Sequence, residues 1–168
     1  MLNAGMDTKL TTVSNEEKVA RVLHRDWVVG NRLQLGAFAL RPNETYISVN
    51  RPAVDSFDSD VLSFVESHPA YQYSDGSYRC AMLGVQDIRE IKVNLNDEPL
   101  NVDVEVEPRA LHTASHAGIF TRIDETNIKK GGTIPPKFLP LGVSADDVLM
   151  EVGWSLIAIA TIKEVKYN

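Results

Sequence analysis

The 168 residues contain one cysteine, Cys80, so no disulfide can form within the chain and no cysteine-based zinc site can be built. With no basic motif to activate it, Cys80 reads as a small buried hydrophobe and not as a nucleophile. Basic residues are also in deficit: 17 Lys and Arg stand against 23 Asp and Glu, a formal charge of −6. Nonspecific nucleic-acid binding needs cations that displace phosphate counterions, so this balance excludes it, and it argues equally against an anionic membrane surface. The densest basic clusters, Lys129-Lys130 and Arg21 to Arg25, are too sparse for a nucleic-acid stripe. Long apolar runs are missing as well. The strongest, Val148 to Ile162, is interrupted by Glu151, Gly153 and Ser155 and falls short of the about 20 residues a bilayer span needs. The opening residues lack the basic-then-apolar layout of a secretion signal, so the expected location is cytoplasmic.

What is present is ordinary for a globular protein: 43% apolar residues with 24% charged ones, enough to bury a core at this length. Residues 1–13 are polar and aperiodic, a loose tail, and 14–168 form one domain. Ser14 with Glu16-Glu17 caps a short helix through Val19, Val22 and Leu23, or else Ala20 to Leu23 is a strand. Gly30-Asn31 between Val28-Val29 and Leu33 predicts a hairpin. Phe38 and Leu40, then Arg41-Pro42-Asn43-Glu44, then Tyr46 to Val49 read as two antiparallel strands around a tight turn.

Asp55 to Ser67 has helical spacing through Phe57, Val61, Phe64 and Val65, and His68-Pro69 stops it. Tyr78 to Leu83 is a short strand, followed by one helical turn or bend at Gly84 to Arg89. The alternation of Ile91, Val93 and Leu95 and of Val102, Val104 and Val106 predicts a second hairpin around Asn96 to Pro99, with an acidic outer face. Ser144 caps a last helix whose stripe Val148, Val152, Leu156 and Ile159 is buried against a sheet. Hairpins without regularly alternating helices predict an α+β fold: mainly an antiparallel sheet or a small, partly closed barrel, with a buried C-terminal helix and one or two shorter helices.

Three places carry residue types suited to chemistry. His112 and His116 are four residues apart. On a helix they would share a face, but no Glu follows His112 and no third ligand is in sight, so no metal site is expected. As a pair near neutral pKa they are candidates for acid and base roles, and Thr113, Ser115 and His116 can donate hydrogen bonds to a phosphate or carboxylate. The ordinary structural reading has one histidine on a backbone carbonyl and the other solvated.

Along Tyr46 to Asn50, the row Tyr46, Ser48 and Asn50 shares one face, with Arg41, Glu44 and Arg51 at its ends. Any half-exposed strand shows such a row. The arginine forks give it a further capacity, binding an anion. Arg41, Ser48 and Asn50 are therefore the candidate ligand residues, and Glu44 joins the histidines as a candidate catalytic group. Asp87-Arg89 reads as a structural ion pair. Lys129-Lys130-Gly131-Gly132 lacks the spacing and the Lys-Ser/Thr ending of a phosphate loop. No cofactor is implied.

The run Phe38-Ala39-Leu40-Arg41-Pro42-x-Glu44-x-x-x-Ser48-Val49-Asn50 resembles a motif of short, uncharacterised bacterial proteins. Those proteins also carry a stretch similar to Gly84 to Arg89 and a later element similar to His116-Ala117-Gly118-Ile119. The resemblance implies bacterial kinship over the central half of the chain, and no particular activity. Two functions follow as expectations. In one, Arg41, Glu44, Ser48, Asn50, His112 and His116 converge on a pocket for a small anionic or nucleotide-like ligand, with hydrolase or transferase chemistry. In the other, the chain is a non-catalytic acidic module that docks on a protein partner.

Overall fold

The computed structural model describes residues 11–110, 113–134, 136–140 and 142–167. In chain order the strands are β1 (Lys18–Val22), β2 (Val28–Val29), β3 (Arg32–Leu33), β4 (Tyr46–Asn50), β5 (Ser77–Gly84), β6 (Asn94–Leu95), β7 (Glu98–Pro99), β8 (Val102–Pro108), β9 (His116–Ile123), β10 (Thr126–Asn127) and β11 (Thr161–Lys166). The helices are α1 (Phe57–Ser67), α2 (Val85–Arg89) and α3 (Ala145–Ile159). Seven strands make one antiparallel sheet, in which β9, β4, β1, β5 and β11 lie side by side, β8 pairs the other edge of β9, and β10 folds back on the end of β9. β8 and β11 are not paired with each other, so the sheet stays open and is not a barrel. The fold is α+β, as the hairpin-rich sequence predicts.

Side-chain alternation divides the sheet into two faces. On one, Val19, Ile47, Val49, Ala81, Leu83, Val104, Val106 and Ile119 pack with Val85 and Ile88 of α2 and with Val148, Val152 and Leu156 of α3. α3 begins at a reciprocal cap: the Asp147 amide donates to Ser144 Oγ at 3.2 Å and the Ser144 amide to Asp147 Oδ2 at 2.8 Å. On the other face, Val61 and Val65 of α1 pack with Ala20, Val22, Tyr78 and Cys80. The second cluster draws on β1 and β5, so α1 covers that half of its face. The polar row of β4 and the start of β9 lie beyond its edge.

Several expectations hold in detail. Gly30 and Asn31 both take positive φ (52° and 61°), the backbone of a two-residue turn, and they join β2 to β3. α1 stops at His68-Pro69, and Cys80 is buried. Lys18–Val22 is a strand, which settles the alternative at the N-terminal end in favour of β structure.

Two hairpins need correction. Leu35–Phe38 is a 3-10 turn, not a strand, and it buries Ala37 and Phe38 in the core. β4 therefore finds its partners far away, in β1 and β9. The second hairpin shrinks to Asn94–Leu95 against Glu98–Pro99, while Val102–Pro108 pairs with β9 along its whole length. Among the described residues no helix is long and apolar enough to cross a membrane.

Candidate functional site

The register places Asn50 directly opposite His116 and Ser48 opposite Gly118, so the two polar side chains of β4 share a face with the first residue of β9. α1 stands across from them. Between helix and strands lies a cavity of about 350 Å3 lined by residues from both sides. Ser48, Asn50, His116 and Thr113 supply its polar lining, and Phe64 and Tyr71 its aromatic lining. Asp60, Val22 and Arg21 complete it.

Arg21 is there because the sheet parts. β1 and β4 pair only at Ala20 and Asn50, and beyond that point the Arg21 guanidinium takes the place of the ladder. Its Nη1 donates to the Ser48 carbonyl at 2.9 Å and its Nε to the Ala37 carbonyl at 3.1 Å, while the fork lies 4.9 Å over the Trp27 ring. Removal from water pushes its pKa down, and an arginine remains protonated regardless. Nη2 has no hydrogen-bond partner among the described residues. Nor do the hydroxyls of Ser48 and Tyr71, so three donors line the same cavity.

The other end is held by a carboxylate. Asp60 Oδ2 accepts from Ser115 Oγ at 2.7 Å, the Ser115 amide at 3.2 Å and Ser56 Oγ at 2.8 Å. Burial alone would raise the Asp60 pKa. The hydrogen bonds from Ser115 and Ser56, joined by Thr113, outweigh it and hold the carboxyl below its ordinary value. Ser115 Oγ in turn accepts from Asn50 Nδ2 at 2.9 Å. Thr113 and Ser115 are therefore engaged by a carboxylate of the chain itself, Asp60 of α1.

His116 Nδ1 lies 2.9 Å from the Arg109 carbonyl, which can only accept, so Nδ1 carries the proton and Nε2 the lone pair in the neutral ring. Gly118 is required beside it: a Cβ there would lie 2.7 Å from the Tyr46 ring, which packs across β9 towards His116 and Phe120.

Of the candidates, Ser48, Asn50 and His116 are therefore brought together. Arg41 and Glu44 do not line the cavity. The Arg41 amide donates to Glu44 Oε2 at 3.1 Å and the Glu44 amide to the Arg41 carbonyl at 3.0 Å, which closes the turn on itself. Both residues are close enough for their charges to act on Arg21. His112 lies outside the described residues.

Arg51 is not an anion ligand. It is fully buried, with Nε and Nη2 each 2.9 Å from the Glu17 carboxylate. Arg89 pairs with Glu105 and Asn15, and not with Asp87. Arg21, Asp60 and Tyr71 were not anticipated. An arginine inside the apolar run Val19 to Leu23 was the one available signal.

Lys130 and the Gly131 amide are engaged by Asp146, at 3.8 Å and 2.9 Å, so that loop is tied to the start of α3. A second cavity of about 300 Å3, under Ile123, Ile128, Ile134 and Phe138, is mainly apolar. Among the described residues no three His, Cys, Asp or Glu side chains are grouped to hold a metal ion. No protein-family model matches the chain, and neither a curated protein nor a solved structure matches it.

Proposed function

We propose that this protein binds a small anionic, nucleotide-like ligand in the cavity between α1 and the β4–β9 edge. The observation that carries the reading is the division of that cavity. Arg21, Ser48 and Tyr71 offer donors to an anion, Phe64 and Tyr71 offer aromatic surface, and the Asn50 amide offers a donor beside an acceptor. Such a mixture of apolar walls and a few convergent polar groups is the usual make-up of a ligand site. At about 350 Å3 the cavity is near the small end of the about 300–1,000 Å3 range for such sites, which suits one ring and one anionic group.

The docking-module reading draws less support. Large exposed apolar side chains among the described residues are Val29, Phe64, Met150 and Trp154. Phe64 belongs to the cavity, and only Met150 and Trp154 share a helix face. Two side chains fall short of the several hundred Å2 patch that marks a protein interface.

Calorimetric titration with nucleoside monophosphates, ribose 5-phosphate and orthophosphate tests the proposal. At least one nucleoside monophosphate should bind saturably, and Tyr71→Phe should weaken it several-fold, the loss of about one hydrogen bond. Absence of saturable binding across the panel at millimolar concentration would refute it.

A further inference from the structure

The proton inventory around Asn50 has a single solution. The Asp60 carboxylate is ionised and can only accept. Ser115 Oγ, 2.7 Å away, has one proton and must donate it there. What it has left towards Asn50, at 2.9 Å, is a lone pair, so the Asn50 atom that meets it has to be Nδ2 and not Oδ1. A flipped amide would bring two oxygens together with no proton between them. The surroundings of this amide therefore allow one orientation.

Ser115 is fully buried and its amide also donates to Asp60, so the relay is anchored from two sides. The backbone of the next residue adds a third hold, the Arg51 amide donating to the Ser115 carbonyl at 2.8 Å. Asn50 is half-buried and lines the cavity, and its amide retains Oδ1 and the second Nδ2 proton. These form a fixed acceptor beside a fixed donor.

We propose that Asn50 is the specificity-determining residue of the cavity. It reads the edge of a heterocyclic base that carries a donor beside an acceptor, and Asp60 and Ser115 act as positioning residues that hold its amide in place. The inference rests on the ligand-binding reading above and deepens it. An amide and a base edge make two parallel hydrogen bonds, the geometry by which asparagine reads adenine in nucleic acids. Phe64, stacked on His68 at 4.2 Å, and Tyr71, edge to face with Phe64 at 4.8 Å, supply aromatic surface to the same cavity, against which a planar base can pack. The anionic group would then reach Arg21, Ser48 and Tyr71. A ligand without the base keeps the anion contacts and loses the reading edge.

The test compares the best-binding of the four common nucleoside monophosphates with ribose 5-phosphate, by calorimetry, in the wild-type protein, Asn50→Leu and Ser115→Ala. The wild type should prefer the nucleotide by about tenfold or more, the range of one good bidentate base contact. Asn50→Leu should abolish that preference, weakening the nucleotide about tenfold more than ribose 5-phosphate. Ser115→Ala, with Asn50 intact but free to turn, should shrink the preference in the same direction. Merely structural damage would weaken both ligands alike. A preference that survives Asn50→Leu overturns the assignment of Asn50 while leaving the ligand-binding reading in place. Binding of neither ligand by the wild type overturns both.

Discussion

Replacing Glu17 by alanine should be among the most damaging single changes in the chain. Its carboxylate holds Arg51 in a two-armed pair, Nε to Oε1 and Nη2 to Oε2, both at 2.9 Å, and Nη2 also donates to the Thr12 carbonyl at 2.8 Å. The Arg51 side chain is 0% exposed and that of Glu17 10%. Glu17→Ala therefore leaves a cation sealed from water with one carbonyl for company, a situation that costs about 3–5 kcal/mol. Arg51→Met is the milder loss, about 1–3 kcal/mol, because the Glu17 carboxylate retains some solvent and the Ser14 amide, which donates to it at 2.9 Å.

The double variant should be more stable than Glu17→Ala alone. It removes both charges, and with them Arg51 Nη1, which is buried with no hydrogen-bond partner among the described residues. The sign of the pH response follows from the same geometry. Burial raises the Glu17 pKa, but the Arg51 hydrogen bonds and charge, joined by the Ser14 amide and the Arg89 charge, more than offset it, so the folded pKa lies below the ordinary 4.5. The pair's contribution is complete above that value and is lost as pH falls through the folded one. Urea midpoints at neutral pH and in acid read all three variants. A Glu17→Ala protein within about 0.5 kcal/mol of the wild type, smaller than any cost expected for an orphaned buried charge, would refute the reasoning.

Leu156→Ala should lower stability by about 2–5 kcal/mol, since Leu156 is fully buried between α3 and the sheet, and an unchanged urea midpoint would remove it from the core. The Cys80 thiol, pushed up to about 12 chiefly by burial, should react with a thiol reagent at neutral pH only as fast as the protein opens; reaction of the folded protein at the denatured rate would contradict its placement.

The elements legible in the sequence are those whose signals are local. Gly30-Asn31 announces its turn because both residues tolerate positive φ, and Ser144 with Asp147 announces α3 because a cap is a contact between neighbours. Strand pairing over long separations leaves no such mark. Phe38 and Leu40 look like strand alternation, yet Phe38 is buried by a 3-10 turn lying under α3, where Gly153 leaves room for Leu35 and the Phe38 carbonyl. β4 pairs with β9 instead, and that pairing is what sets Asn50 against His116. Val102 to Val106 were read with their nearest apolar neighbours in sequence, but their rows match those of β9.

The site was half legible for the same reason. Ser48 and Asn50 sit on a regular alternation and His116 stands out by residue type alone, in a stretch with no clean period, whereas Asp60 reads as an ordinary helical acid and Tyr71 as loop. Arg21 looks like the outward side chain of a strand until the sheet is seen to part around it. Arg51 was misassigned because its partner, Glu17, lies 34 positions away.

The central claim, that the cavity between α1 and β4–β9 binds a nucleotide-like anion, is tested most directly by resonance assignment and titration with the tightest-binding nucleoside monophosphate. The account predicts saturable shifts that cluster on Arg21, Ser48, Asn50, Tyr71 and His116, with a matching change at the Asn50 side-chain amide. Saturable shifts centred instead on Ile123 to Phe138, or no saturable shifts at millimolar ligand, would contradict it.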